Sequence, residues 1–353
     1  MALAKNRVGG AAQGVRIGDV ALEAGVSTAT VSRALASPDQ VRPELRARVH
    51  AAVAKLGYTP NAAARQLRVK RSRTVLVVTR KRWSAPFFAE VLRGLDAEFA
   101  AAGYAMVLGN VDSVEGERSR QLMDLMFSGT IDGTVLLSGL VASVDGRTMF
   151  DTGLPLVSLC AAIEGTHTIL TDEDACMARA LHELIALGHR DFLYLCGPAG
   201  NYNEIVRWQA LSAAFEAAGP GLTLTRASQG DFSMESGVEA AHEFLAAGER
   251  RASAVIAVSD ENAIGFMTTI QEAGVNVPGE VSVLGFDGIE FADFCRPALS
   301  TIRQPRFELG RTGARMLIEA IAADTPQEPI RHVLRNELDL RASTGPAPMR
   351  SRP

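Results

Sequence analysis

Thr28, Ala29, Ser32 and Arg33 are the residues of this chain whose types and spacing best suit contact with a nucleic acid. They lie in TATVSRAL, where Val31 and Leu35, four apart, share the core face of a helix and leave those four mostly on the opposite face. A helix that enters the major groove presents its N-terminal side chains to base edges, which makes Thr28 and Ala29 the specificity positions. Arg33 reaches a guanine edge or a phosphate. Gly25 supplies a tight turn before the helix, and Ser27 is placed to cap it. With Arg16 and Thr30, the run RIGDVALEAGVSTATVSRAL from Arg16 to Leu35 forms a near-complete helix-turn-helix pattern. An ordinary helical hairpin with a solvated face is the plain alternative.

Charge decides between the two. Residues 1–73 carry thirteen Lys and Arg against four Asp and Glu, a net of +9, whereas the other 280 residues carry twenty-three against thirty-six, a net of −13. The overall −4 hides this split. A basic segment on an acidic chain points to a polyanion partner, because each neutralised phosphate releases condensed counterions. Following the helical region, PNAAARQL from Pro60 to Leu67 is made of strong helix formers but is too short to be stably helical alone. Leu67 among Arg65, Arg68, Lys70 and Arg71 is an apolar wedge in a phosphate-binding stretch, of the kind that kinks DNA from the minor groove, and Asn61, Ala64 and Leu67 are its candidate contacts.

The elements that position these residues fall into two classes. From Ile17 to Tyr58 apolar residues recur at helical spacing, broken at Gly25-Val26 and at Ser37-Pro38-Asp39, so three short helices are expected. Beyond residue 74 apolar strands alternate with amphipathic helices, the pattern of βαβ units and a parallel sheet. Strands are expected at 74–79, 105–110, 133–138, 155–160, 191–196, 254–259 and 281–286, with helices at 87–102, 115–127, 174–187, 204–218, 233–247, 260–273 and 306–322. The stretch 168–188 reads as a crossover into a second sheet. The expected fold is therefore an all-α helix-turn-helix headpiece followed by an α/β domain of two lobes, each a parallel sheet. The expected boundaries are a disordered N-terminus (1–15), a headpiece (16–59), a hinge helix or linker (60–73), and an effector-binding and dimerisation domain (74–341). In that domain one lobe takes about 74–171 and 303–335, the other about 172–302 and 336–341. A flexible tail is expected over 342–353.

Other chemistries are poorly supported. Cys160, Cys176, Cys196 and Cys295 form no CxxC pair and read as buried small hydrophobes. The six histidines show no HxxxH or HExxH spacing, and His189 after Gly188 reads as a helix end, so no metal or cofactor is expected. No GxGxxG follows a strand, and neither GxxxxGK[ST] nor GxSxG occurs, which argues against a dehydrogenase, a kinase or a hydrolase. Apolar runs are too short for a bilayer and no signal peptide is visible, so a cytoplasmic chain without membrane contact is expected.

The motifs Asp19-Val20-Ala21, Ala24 to Ser27, Thr30 to Leu35, Gly57 to Asn61 and Leu67 resemble those of the lactose-repressor family of bacterial transcription regulators. PFFAEVLRGL at Pro86, IDG at Ile131, GHR at Gly188 and VPGEVSVLGFD at Val277 extend the resemblance along essentially the whole chain. It implies a homodimer on a palindromic operator in double-stranded DNA, with hinge helices paired in the minor groove, and a small-molecule effector between the lobes. Where that family holds its effector this sequence has Phe87, Phe88, Asn201, Arg207, Phe232, Ser259 and Asp287. Aromatic faces stack on a base or a sugar, and Arg and Asp make charge-assisted bonds to hydroxyls. A flat ligand between Phe88 and Phe232 follows. Three positions depart from the family's habits: Ser259 where Asn is common, Gly288 where a polar side chain is frequent, and Thr171-Asp172 in place of Asp-Asn. A nucleoside or pentose is the favoured effector and another sugar the second.

Overall fold

The computed structural model describes residues 15–58, 71–80, 85–111, 114, 116–137, 139–248, 252–323, 325 and 327–349. They divide into two units, with the boundary between Ser72 and Arg73. Asn61, Ala64 and Leu67, and with them the expected hinge helix, lie outside the described residues.

The first unit is helical. Helices α1 (Ile17–Ala24), α2 (Thr28–Ala36) and α3 (Pro43–Leu56) pack Val20, Ala21, Ala24, Val31, Ala34, Val49 and Ala52 into one small core. Leu35 is only half-buried against it; Ala34, one turn from Val31, completes the inward face. Gly25 ends α1 at φ 62°, a left-handed conformation that costs a residue with Cβ dearly. Arg48 on α3 ties this turn down, donating from Nη2 to the carbonyls of Ala24 (2.6 Å) and Gly25 (3.2 Å).

The second unit has two six-stranded sheets. The first-lobe sheet contains β1 (Thr74–Arg80), β2 (Ala105–Val111), β3 (Gly133–Leu136), β6 (Leu156–Leu159), β7 (His167–Thr171) and β13 (Arg331–Leu334), ordered β13-β7-β6-β3-β1-β2 and wholly parallel. The second-lobe sheet contains β8 (Asp191–Leu195), β9 (Thr223–Arg226), β10 (Ala254–Ala257), β11 (Ser282–Asp287), β12 (Ser300–Arg303) and β14 (Glu337–Asp339), ordered β14-β12-β11-β10-β8-β9. Only β14 runs antiparallel. A two-residue hairpin, β4 (Ser143–Val144) with β5 (Arg147–Thr148), decorates the first lobe.

Helices cover the sheets: α4 (Ala85–Ala101), α5 (Glu117–Phe127) and α11 (Arg306–Ala322) serve the first lobe. The second is served by α6 (Glu173–Ala186), α7 (Tyr202–Ala218), α8 (Met234–Ala246) and α9 (Asp260–Glu272), with a single turn, α10, at Phe291–Phe294. Each lobe contains one helix pair that meets backbone to backbone. A Cβ on Gly310 would strike the Val91 carbonyl, and one on Gly265 would strike that of Met234. Glycine lets α11 lie on α4, and α9 on α8, at that distance.

The chain passes between lobes three times, after Thr171, after Arg303 and after Leu334. The expected crossover at 168–188 therefore begins as a strand, because β7 finds partners on both sides in β6 and β13. The expected flexible tail is also corrected. Ser343 is fully buried, donating to the Val283 carbonyl and accepting from Ser300 N–H, and Ala347 N–H donates to Leu187. His189, read as a helix end, is the buried partner of this tail: its ring bonds Ser253, Ser282 and the Gly345 carbonyl, each at 3.0 Å. Burial holds its pKa down, so the ring is neutral. Of the cysteines, Cys176 and Cys196 are buried, whereas Cys160 and Cys295 are half-buried. No helix among the described residues is long and apolar enough to cross a membrane.

Candidate functional site

In the helical unit the exposed face of α2 is built from its cap outward. Ser27 accepts from Thr30 N–H at 3.1 Å, and the two hydroxyls lie 2.9 Å apart, so Ser27 and Thr30 fix the first turn. Thr28, Ala29 and Arg33 then stand exposed and Ser32 half-exposed on the face away from Val31 and Ala34. Arg16 is exposed just ahead of α1, its backbone N–H bonded to Asp19 at 2.7 Å. Short polar side chains and an arginine on an exposed helical face match the donor and acceptor pattern of a major groove. The Arg48 brace on the turn is invisible in the motif, since its partners are backbone carbonyls twenty-three and twenty-four residues earlier.

In the second unit the ends of β6, β7, β10, β11 and β12 converge near the interlobe crossings, as expected for open parallel sheets. Arg207, on α7, is buried there. Its Nη1 donates to the Val258 carbonyl at 2.5 Å, its Nη2 to Glu173 at 3.1 Å, with Asp287 at 3.6 Å, and its guanidinium lies 3.7 Å from the Phe286 ring centre. Asp287 ends β11 at φ 112°, which turns its carboxylate to accept from Gln304 at 2.8 Å. Gln304 in turn accepts from the Thr171 hydroxyl at 3.4 Å, so a polar chain runs from the first lobe to Arg207 across two of the crossings. Arg306 adds a clip, donating to Pro86 O on the first lobe (3.0 Å) and to Gly288 O on the second (2.7 Å). Gly288, at φ 69°, is packed so closely on Arg303 that a side chain has no room, which explains the glycine.

Burial dominates the electrostatics. It raises Asp287 to about 7, against the opposing pull of Arg207. It raises Asp260 to about 8, helped by the charge of Asp287, although Thr301 and Ile289 donate to Asp260 at 2.6 and 2.8 Å. Burial raises Glu173 as well. Arg207 is held above its ordinary value despite burial, because Glu173 and Asp287 outweigh it. The Cys160 thiol, just past β6, is pushed up to about 12 by burial and then by Glu173.

Of the seven expected effector residues, Arg207 and Asp287 are brought together. Phe88 and Phe232 are half-buried, one against the core of each lobe. Phe87 packs in the first-lobe core, 5 % exposed, and meets Phe88 edge-on at 5.0 Å. Ser259 stands behind one of these aromatics. It is fully buried, caps α9 by accepting from Asn262 N–H and donates to the Phe232 carbonyl, so it holds that aromatic in place. Asn201 caps α7, accepting from Asn203 and Glu204 N–H. Glu173 and Gln304 escaped the sequence reading, because their places depend on the crossings.

Residues 16–61 match the model of bacterial regulatory proteins of the lacI family, and residues 181–344 match the periplasmic binding protein-like domain. The HTH-type transcriptional repressor CytR of Escherichia coli is 31% identical over 333 residues, 94% of this chain and 96% of that protein. The chain belongs to the lacI family. The ribose operon repressor of the same organism is 31% identical over 314 residues, 88% of this chain and 94% of that one. A crystal structure of the lac repressor dimer bound to operator and the anti-inducer ONPF superposes with a TM-score of 0.80 at 25% identity, covering 94% of this chain and 100% of that one. As a lacI-family member the protein is a DNA-binding transcriptional repressor, and its relatives are regulators, not enzymes.

Proposed function

We propose that this lacI-family chain works as a homodimer on a palindromic operator and that a nucleoside or a pentose held between the lobes sets its operator affinity. Thr28, Ala29, Ser32 and Arg33 read bases in the major groove, Arg16 and Arg33 meet phosphates, and Ser27 and Thr30 hold the reading helix in shape. Asn61, Ala64 and Leu67 belong to a hinge that enters the minor groove.

The observation that carries the effector reading is the chain of bonds from Thr171 through Gln304 and Asp287 to Arg207 and Glu173, which ties ligand-binding chemistry to the interlobe crossings. A ligand that bonds Arg207 or Asp287 acts where the lobes pivot, and Phe88 and Phe232 offer one aromatic face from each side. Asn201 stands at the rim. A ligand shifts the lobe angle only by its differential affinity for the two states, on the order of 1 to 3 kcal/mol of coupling to DNA. The segments GDFSMESG at Gly230 and FCRPALSTIRQPRFELGR at Phe294 resemble the cytidine repressor, which favours a nucleoside. A related regulator, CelR, was solved as a cellobiose complex, which keeps another sugar as the second reading.

A thermal-shift panel of nucleosides and monosaccharides tests this, since a ligand that binds only the folded state raises the melting temperature by mass action. The reading expects a shift with ribonucleosides or pentoses. A shift with hexoses or disaccharides alone overturns it in favour of the second.

A further inference from the structure

We infer that Glu173 is a specificity residue of the effector site, its second carboxylate oxygen accepting a hydrogen bond from a ring hydroxyl of the ligand. The inference rests on the nucleoside-or-pentose reading.

Glu173 is the first residue of α6, directly after the first interlobe crossing, and is 7 % exposed. Its Oε1 accepts from Arg207, but its Oε2 is buried with no hydrogen-bond partner among the described residues, and so is Arg207 Nε. The other buried carboxylates nearby are fully engaged. Asp260 takes the Thr301 hydroxyl and Ile289 N–H, and Glu204 takes Gly197 N–H, the Tyr194 hydroxyl and Arg226. A folded protein rarely leaves such an oxygen dry and unbonded, because the desolvation cost is then uncompensated.

With Glu173 ionised beside Arg207, its free oxygen only accepts, so the missing partner is a donor. Arg207 does not supply that donor: Nη1 is committed to Val258, Nη2 sits between Glu173 and Asp287, and Nε, itself unbonded, is held away from Oε2 by the guanidinium plane pinned on Phe286. With Arg207 already shared by two carboxylates, the cluster presents to a ligand one orphan acceptor, Glu173 Oε2, and one orphan donor, Arg207 Nε. A neutral, hydroxyl-rich ring matches it. A carboxylate or phosphate satisfies Arg207 Nε but brings Glu173 Oε2 no donor. Sites built around a ligand hydroxyl reject the analogue that lacks it by large factors, because the buried partner is left unpaired.

Calorimetric titration of the full-length dimer with D-ribose, 2-deoxy-D-ribose, cytidine, 2′-deoxycytidine and 3′-deoxycytidine, on the wild type and on Glu173→Ala and Glu173→Gln, closes a thermodynamic cycle between ligand hydroxyl and side chain. At least one deoxy analogue is expected to bind the wild type about 30-fold more weakly than its parent, and that ratio should fall below about threefold in Glu173→Ala. Glu173→Gln, which keeps the shape of the site, guards against a folding defect and should give an intermediate ratio. Parent and deoxy ligands binding the wild type alike, or a ratio that Glu173→Ala leaves unchanged, overturns the assignment to Glu173 while the effector reading stands. Binding of none of the five overturns the effector reading, and the inference with it.

Discussion

Asp287 and Asp260 take up protons at a higher pH in the folded protein than in the unfolded chain. Burial lifts them from an ordinary 3.8 to about 7 and about 8. Stability from such groups is complete below the unfolded value and is lost as pH rises through the folded one, so their contribution drains away between about pH 4 and pH 8. The melting temperature of the free protein should therefore fall from pH 6 to pH 8.5, with a shallower slope in Asp287→Asn and in Asp260→Asn. Equal slopes in wild type and both variants would contradict this origin. Arg207→Ala removes the one guanidinium between two buried carboxylates and should cost about 3 to 5 kcal/mol in urea unfolding, beyond any loss of ligand. At this scale the sequence was only partly legible. The pair Phe87-Phe88 showed two aromatics at a helix start without showing which faced the core. The part Ser259 plays as a helix cap was hidden because it depends on Phe232 and Asn262 meeting it in space.

Among the elements, α2 depends on its cap. Ser27→Ala should cost about 1 kcal/mol of headpiece stability, measured by thermal unfolding followed at the headpiece, while Thr30→Ala costs less because the Ser27 cap on its N–H survives. The C-terminal segment is a structural part of the second lobe. Truncation after residue 342 strips His189 and Ser282 of the Gly345 carbonyl and Ser300 of its Ser343 partner. A lower melting temperature is expected, and an unchanged one would mean that these bonds add nothing. The central strands and covering helices were legible because continuous apolar runs and 3.6-residue periodicity survive any rearrangement of neighbours. Strands β9, β13 and β14 were not. They lie at sheet edges, alternate weakly, and owe their state to lateral pairing that no local pattern encodes. HTILT and STIR, in β7 and β12, are buried yet short and half polar, so neither stood out as a strand.

For the whole molecule, the sequence separates a basic segment from an acidic remainder, and the fold assigns these to a helical reading unit and a two-lobed domain. The family motifs made that architecture legible from end to end, whereas the crossings, which create the Thr171, Gln304, Asp287, Arg207 and Glu173 chain, became visible only in three dimensions. The account also expects a dimer. Sedimentation should show a concentration-stable dimer, and a tetramer would overturn that expectation. Control of DNA by ligand is the claim on which the rest depends. Its most direct measurement is fluorescence anisotropy of a duplex that the protein itself selects from a random pool, titrated at two salt concentrations with and without the ligand that raises its melting temperature. The account predicts affinity well above that for a scrambled duplex, a steep loss with salt, and a ligand-dependent change on the order of 5- to 150-fold. Equal affinity for selected and scrambled DNA, or binding that the ligand leaves unmoved, would contradict it.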